Sequence, residues 1–202
     1  MHLSIDIPIT AANLVHWTHY PWVLLCAVWL GFAPLAKRAV YRKPLAQRLL
    51  YTLPMGLGLY LLFGPGGAPS GVKWVDHALI SINLPIATAG FVVVLCGVAF
   101  SIWARMALDG NWSGTATLKQ DHTLTRTGPY RITRHPIYTG ILLALAGSAL
   151  ERGMVRSVLA VILCALALWL KIAVEEKLMI ERFGEQYLRY RREIPALIPV
   201  RF

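Results

Sequence analysis

Charge is scarce in these 202 residues: Asp, Glu, Lys and Arg make up 15%, and only ten residues are acidic against twenty basic. A soluble domain carries about 25% charged residues, so a chain this poor in charge and 56% hydrophobic needs lipid to cover its surface. Cysteine is nearly absent as well. Cys26, Cys96 and Cys164 each stand alone inside an apolar run. That excludes a disulfide framework or a paired-cysteine metal site, and leaves them as small buried hydrophobes. No internal repeat is present, which excludes solenoids. The opening MHLSIDIPIT lacks a basic stretch ahead of an apolar core, so it does not read as a cleaved signal peptide and the first apolar run is expected to stay.

Apolar sequence is what the chain has in abundance. A bilayer core is crossed by about 20 helical residues, and runs at roughly 14–36, 48–63, 79–106, 137–150 and 153–174 are candidates. The basic residues alternate between their connections. Lys37, Arg38, Arg42, Lys43 and Arg48 follow the first run, and Arg105, Lys119, Arg126, Arg131 and Arg134 the third. Lys171, Lys177, Arg182, Arg189, Arg191, Arg192 and Arg201 lie in the tail, while only Lys73, Arg152 and Arg156 fall on the other side. The positive-inside rule then predicts five crossings with the amino terminus outside and the carboxyl terminus cytoplasmic, in the inner membrane if the source is bacterial. The net charge of +10 is thus a topology signal, and nucleic acid is not an expected partner. The expected fold is an all-α integral membrane protein of five transmembrane helices with a C-terminal helical hairpin and a cytoplasmic amphipathic tail helix. It forms a single membrane domain over 1–202, with two helices in 1–78 and the remainder in 79–202.

GPGGAPSG at 64–71 predicts an external loop, with Trp74 beside it at headgroup level. The fourth run is short: fourteen helical residues rise about 21 Å, less than the hydrocarbon core, so it is not expected to cross alone. Gly140, Ala144 and Ser148 form a small-residue stripe that allows close helix packing. With the brief turn at 151–153, it predicts that the fourth and fifth helices pair as an antiparallel hairpin. After Glu175, charges interleave with Leu178, Phe183, Tyr187, Leu188 and Tyr190, the pattern of an amphipathic helix leaving the membrane, ended by Ile194, Pro195 and Pro199.

The connection 107–136 is long enough to be functional, and its aromatics, Thr and Ile argue against disorder. Pro136 suits the first turn of the fourth helix. The amides of Ile137, Tyr138 and Thr139 would then face the cytoplasm at the positive end of the helix dipole, with Arg134 and His135 beside them, as an anion site. The hairpin returns Lys171, Glu175 and Glu176 to the same end. Amide donors and His on one wall, carboxylate on the other and aromatics in the covering loop suit a zwitterion with hydroxyls and a flat base, such as S-adenosylmethionine. Its sulfonium would suit a ring of Tyr130 or Tyr138 by cation–π attraction.

GPYRITRHPIYTG, preceded by HTLT and followed by EEKLMIERFGEQYLRYRREIP, resembles the isoprenylcysteine carboxyl methyltransferase family and its bacterial relatives over roughly residues 100–200. The resemblance implies that 79–202 is a methyltransferase core binding S-adenosylmethionine through His122, Thr123, Leu124 and Thr125, then Tyr130, then His135, Pro136, Ile137 and Tyr138, then Glu175. A similar phospholipid N-methyltransferase family uses an acidic pair, which implies Glu176 beside Glu175. Where the prenylcysteine enzymes have an arginine for the substrate carboxylate, this chain has Lys171, which keeps the charge and loses the bidentate fork.

Methyl transfer is an in-line displacement that needs positioning and exclusion of water and no covalent catalyst. Lys171 or Arg134 is the expected partner of an anionic substrate group. The acceptor is expected to be lipophilic or membrane-associated: an isoprenylcysteine-like carboxylate, a lipid or a small thiol reaching the site from the bilayer. No metal is implied. Two other readings stand beside this one: an NADPH-dependent reductase of the membrane steroid reductase kind, with Arg126, Arg131 and Arg134 holding a 2'-phosphate, and a non-catalytic membrane scaffold.

Overall fold

The computed structural model describes residues 9–35, 39–42, 44–64, 72–108, 117–119 and 124–197. Seven helices occur among them: α1 (Ala11–Trp17), α2 (His19–Phe32), α3 (Leu45–Phe63), α4 (Leu84–Leu108), α5 (Pro136–Arg152), α6 (Val155–Phe183) and α7 (Glu185–Glu193). The fold is otherwise helical, as expected, with two short strands, β1 (Ala39–Arg42) and β2 (Thr117–Lys119), paired antiparallel. They bring the connection before α3 against the one before α5. Val40, Tyr41 and Thr117 are residue types that favour extended chain.

Two helices, α4 and α6, are long and apolar enough to cross a membrane, with mean hydropathy of 2.2 and 2.5 over their most apolar stretches. Only a third of each stretch is buried in the protein. Leu24, Leu30, Leu53, Leu57, Val92, Ile162 and Trp169 are exposed, an apolar exterior that suits lipid.

The first apolar run, expected as one helix, divides at Thr18. Its hydroxyl bonds the Leu14 carbonyl at 3.1 Å and the buried Glu151 carboxylate at 2.5 Å, tying the joint to the far end of α5. The third run begins later than expected. Residues 79 and 80 donate their amides to the Gly153 carbonyl at 2.7 and 3.3 Å, and Asn83 caps α4 through a 3.0 Å bond to the Ile86 amide. Trp74 is 61% exposed at this end of the molecule. Residues 65–71 of the expected external loop, and Pro199 of the tail, lie outside the described residues.

α5 and α6 form the expected antiparallel hairpin, with Leu145 against Ala160 and Cys164, while the small-residue stripe of α5 lines its contact with α4. A Cβ on Gly97 would stand 2.5 Å from the Ala144 amide and the Gly140 carbonyl, and one on Gly147 would stand 2.6 Å from the Gly90 carbonyl. The α4 face that fits the stripe reads Gly90, Gly97, Ser101 and Ala104, so the two helices are small on both sides of their contact. α6 packs closely on α3 as well, where a Cβ on Gly58 would meet Cys164 Sγ at 2.6 Å and the Ala160 carbonyl at 2.9 Å. α2 lies over α4 and α5: Leu25 packs with Val94, Val98 and Ala144, and Trp22 Nε1 donates to Ser148 Oγ at 3.0 Å.

α6 continues to Phe183, beyond the end of its apolar run, before Gly184 takes φ +52 and the chain turns into α7. The apolar side of this tail faces the protein. Leu178, Tyr187 and Tyr190 are all buried.

Candidate functional site

The basic ends of α5 and α6 meet. The 3-10 turn Gly128–Arg131 begins with Gly128 at φ +57, where a side chain would be strained, and sets Tyr130 against Ala104 and Ile137. Leu124 and Thr125 are half-buried on the approach to it, while His122 and Thr123 lie outside the described residues. Pro136 then opens α5, with His135 as its N-cap residue. The Thr139 amide, expected to be open, closes the first helical bond to the His135 carbonyl at 3.0 Å. The amides of Ile137 and Tyr138 have no backbone partner among the described residues.

Glu176, buried in α6, is ringed by two arginines and a histidine. Arg134 Nε and Nη2 donate to its Oε1 at 2.9 and 2.7 Å, His135 Nε2 lies 3.3 Å from the same oxygen, and Arg191 Nε lies 3.4 Å from Oε2. The remaining Arg134 nitrogen donates to the carbonyls of Arg191, at 3.1 Å, and Ile194. Expected to face an anionic substrate, Arg134 instead has all three guanidinium nitrogens engaged within the fold.

Glu175 is more open. Tyr138 donates its hydroxyl to Oε1 at 2.7 Å, and His135 Nδ1 stands 3.8 Å from Oε2. Lys171, one turn earlier on α6, holds Nζ 4.0 Å from Glu175 and 5.0 Å from the centre of the Tyr138 ring. His135 stacks on that ring at 5.6 Å with an interplanar angle of 4°. The imidazole therefore touches both carboxylates, and the phenol orients one of them.

Sequence reasoning missed the tail's part in this arrangement. The Arg134 and His135 amides donate to the Pro195 and Ala196 carbonyls at 2.8 and 3.0 Å, and Thr139 Oγ1 donates to the Leu197 carbonyl at 2.8 Å. Tyr190 donates to the Tyr130 carbonyl at 2.7 Å, and Arg126 pairs with Glu193 while lying 5.0 Å over the Tyr190 ring. Burial, with Tyr190 and Glu175 nearby, pushes the Tyr130 phenol well above its ordinary value, and burial pushes Tyr190 up to about 12. Both stay neutral donors at physiological pH. Pro195 marked where the tail helix ends, but nothing local in sequence showed that the chain would then fold back across the start of α5.

Chemically, the arrangement offers a carboxylate with spare acceptor capacity, two helix-start amides without a backbone partner among the described residues, and an aromatic face already receiving a cation. Such groups can bind and orient polar, charged ligands at the edge of an apolar body.

The family model for phospholipid methyltransferases matches residues 86–186. Among curated proteins, the chain is 34% identical over 85 residues to the protein-S-isoprenylcysteine O-methyltransferase of Schizosaccharomyces pombe, covering 40% of this chain and 35% of that protein. The rat protein of the same name is 26% identical over 140 residues, 63% of this chain and 48% of its own. Methanethiol S-methyltransferase 1 of Bradyrhizobium diazoefficiens is 28% identical over 167 residues, 79% of this chain and 56% of its own. The chain thus spans about a third to just over half of the length of these relatives.

Proposed function

The chain belongs to the phospholipid methyltransferase family, with isoprenylcysteine methyltransferases among its relatives, and from that premise we propose that it transfers a methyl group from S-adenosylmethionine to a lipophilic or membrane-associated acceptor. The observation that carries this reading is the gathering of Glu175, Lys171, His135 and Tyr138 at the joined ends of α5 and α6.

The residues present suit that cofactor. Glu175 Oε2 has no hydrogen bond among the described residues, so it can accept from an amine or ribose hydroxyls, and the Ile137 and Tyr138 amides can take a carboxylate. The Lys171 ammonium over the Tyr138 ring is a stand-in for a cation on an aromatic face. We assign the contacts to Tyr130, His135, Ile137, Tyr138 and Glu175, with Leu124 and Thr125 on the approach and Pro136 fixing the helix start; the family resemblance adds His122 and Thr123 to the cofactor residues. Glu176 acts as a positioning residue, since it holds Arg134 and His135 in place. Lys171 then takes the anion-binding role in preference to Arg134.

When bound, S-adenosylmethionine supplies an electrophilic methyl group. The protein's task is to align the acceptor and to exclude water, which its apolar surroundings support. Relatives named for isoprenylcysteine and for methanethiol differ in acceptor, and Lys171 is compatible with either a charged or a polar one. The apolar exterior and the alternation of basic residues support five crossings, with the site at the cytoplasmic face and the acceptor arriving from the bilayer.

Calorimetric titration of the purified chain in detergent with S-adenosylhomocysteine and with NADPH tests the proposal. Binding of the first and not the second is expected. Glu175→Gln should weaken it by roughly tenfold to a hundredfold, the scale of one hydrogen bond to a charged group. NADPH binding alone, or unchanged affinity in a folded Glu175→Gln protein, would sink the assignment.

A further inference from the structure

Tyr51 stands on α3, outside the segment matched by the family. It is 3% exposed, and its hydroxyl has no hydrogen-bond partner among the described residues. One turn earlier, Arg48 Nε is likewise buried and unpartnered among them. Such atoms lose their water on folding with no return from the protein, and a native fold that carries the cost calls for a specific reason, such as a bound group that supplies the missing partner.

Two contacts fix where Tyr51 lies. α3 runs antiparallel to α6, with Gly58 closing on Ala160 and Cys164. Both helices rise about 1.5 Å per residue, so seven residues back along α3 is level with seven residues on along α6. That places Tyr51 opposite the stretch from Ala167 to Lys171, and Arg48 about a turn nearer Glu175. From the other side, the Tyr51 hydroxyl is within electrostatic reach of Tyr138, whose own hydroxyl bonds Glu175. α3 therefore forms a third wall beside the junction of α5 and α6. That wall presents a phenol, a guanidinium nitrogen and, across from them, the Lys171 ammonium. All of them are donors, and Lys171 is 4.0 Å from Glu175, so the wall carries positive and hydrogen-donating character.

We propose that Tyr51 belongs to the methyl-acceptor site, donating its hydroxyl hydrogen to an anionic oxygen in the acceptor's head group, with Arg48 as a second donor behind it. The inference rests on the methyl-transfer reading and deepens it. The cofactor residues come from the matched segment, and the acceptor is selected in part by a helix that precedes it. Head groups ending in carboxylate or phosphate share the required chemistry, and an uncharged thiol lacks it.

Tyr51→Phe keeps the ring and removes only the hydroxyl. In detergent-purified full chain, its affinity for S-adenosylhomocysteine should equal that of wild type, and its melting temperature should be equal or higher, because an orphaned polar group has been removed. Methyl transfer from radiolabelled S-adenosylmethionine is then measured with three probes: N-acetyl-S-farnesylcysteine, phosphatidylethanolamine in nanodiscs, and methanethiol. Use of either of the first two, with kcat/KM lower by about tenfold or more in Tyr51→Phe, supports the proposal and identifies the oxygen's source. Methanethiol as sole acceptor, equal rates in both proteins, or a tenfold loss of S-adenosylhomocysteine affinity overturns it. If no probe is turned over, the melting pair decides: a clear fall in Tyr51→Phe means that the hydroxyl is bonded within the fold, against the proposal, and no fall supports it. A wild-type chain that binds no S-adenosylhomocysteine defeats the methyl-transfer reading itself, and this inference with it.

Discussion

Arg134 and Lys171 carry the same charge and stand at the same junction, yet distance gives them different work. Arg134 makes two bonds below 3.0 Å to Glu176 with both side chains less than 10% exposed, whereas Lys171 Nζ is 4.0 Å from Glu175, beyond hydrogen-bond length. Removing one member of a buried pair strands the other, at about 3–5 kcal/mol. Arg134→Ala should accordingly lower the melting temperature in detergent by several degrees; melting equal to wild type would mean that the Glu176 cluster is not holding α6 to the tail. The sequence made the membership of this cluster legible, because Pro136 and the return of the chain bring RHPIY and KIAVEE to one end. It did not make the division of labour legible. Which guanidinium is engaged depends on the Arg191 and Ile194 carbonyls, brought in by a tail whose path has no local signature.

The same limit governs the helices. A stripe of small residues on α5 shows that some backbone comes close, and says nothing of which one. The complementary spacing of Gly90, Gly97 and Ser101 on α4 was equally visible, but only packing joins the two stripes. At Gly97 a methyl group would meet backbone atoms of both Gly140 and Ala144, which cannot move aside as a flexible side chain would. Gly97→Ala should therefore push α5 away from α4 and, through the first turn of α5, reduce S-adenosylhomocysteine affinity in whatever fraction folds. At Gly31 and Gly56 a methyl group would have nothing within 4 Å of it. Alanine at either should be neutral or stabilising, by up to about 1 kcal/mol in helix propensity. Detergent melting curves with parallel titrations compare the three, and a Gly97→Ala protein matching the Gly31 and Gly56 variants would contradict the close α4–α5 contact. Thr18 shows the converse case: it sits in the stretch 16–21, the most polar part of the first run, yet the joint between α1 and α2 became apparent only with its bond to Glu151, more than a hundred residues away in sequence.

For the whole molecule, the charge pattern forecasts what an isolated chain cannot display, its orientation in a bilayer. Seventeen of the twenty Lys and Arg fall in connections assigned to one side. The described helices bring the ends carrying Arg48, Arg105, Arg134 and Lys171 to the side of the candidate site, and Lys73, Arg152 and Arg156 to the opposite one. A reporter active only in the cytoplasm should be active when fused after Phe202, and a silent but well-expressed fusion would reverse the topology. The bonds from Arg134 and His135 to the carbonyls of Pro195 and Ala196 also bear on how the protein is made. A chain leaves the ribosome amino end first, at about 5–20 residues per second, so every helix that borders the site is synthesised before the segment that completes it. Until residues 195–197 emerge and cross the start of α5, a nascent chain can have all the helices around the candidate site in place and still lack the backbone bonds that complete it.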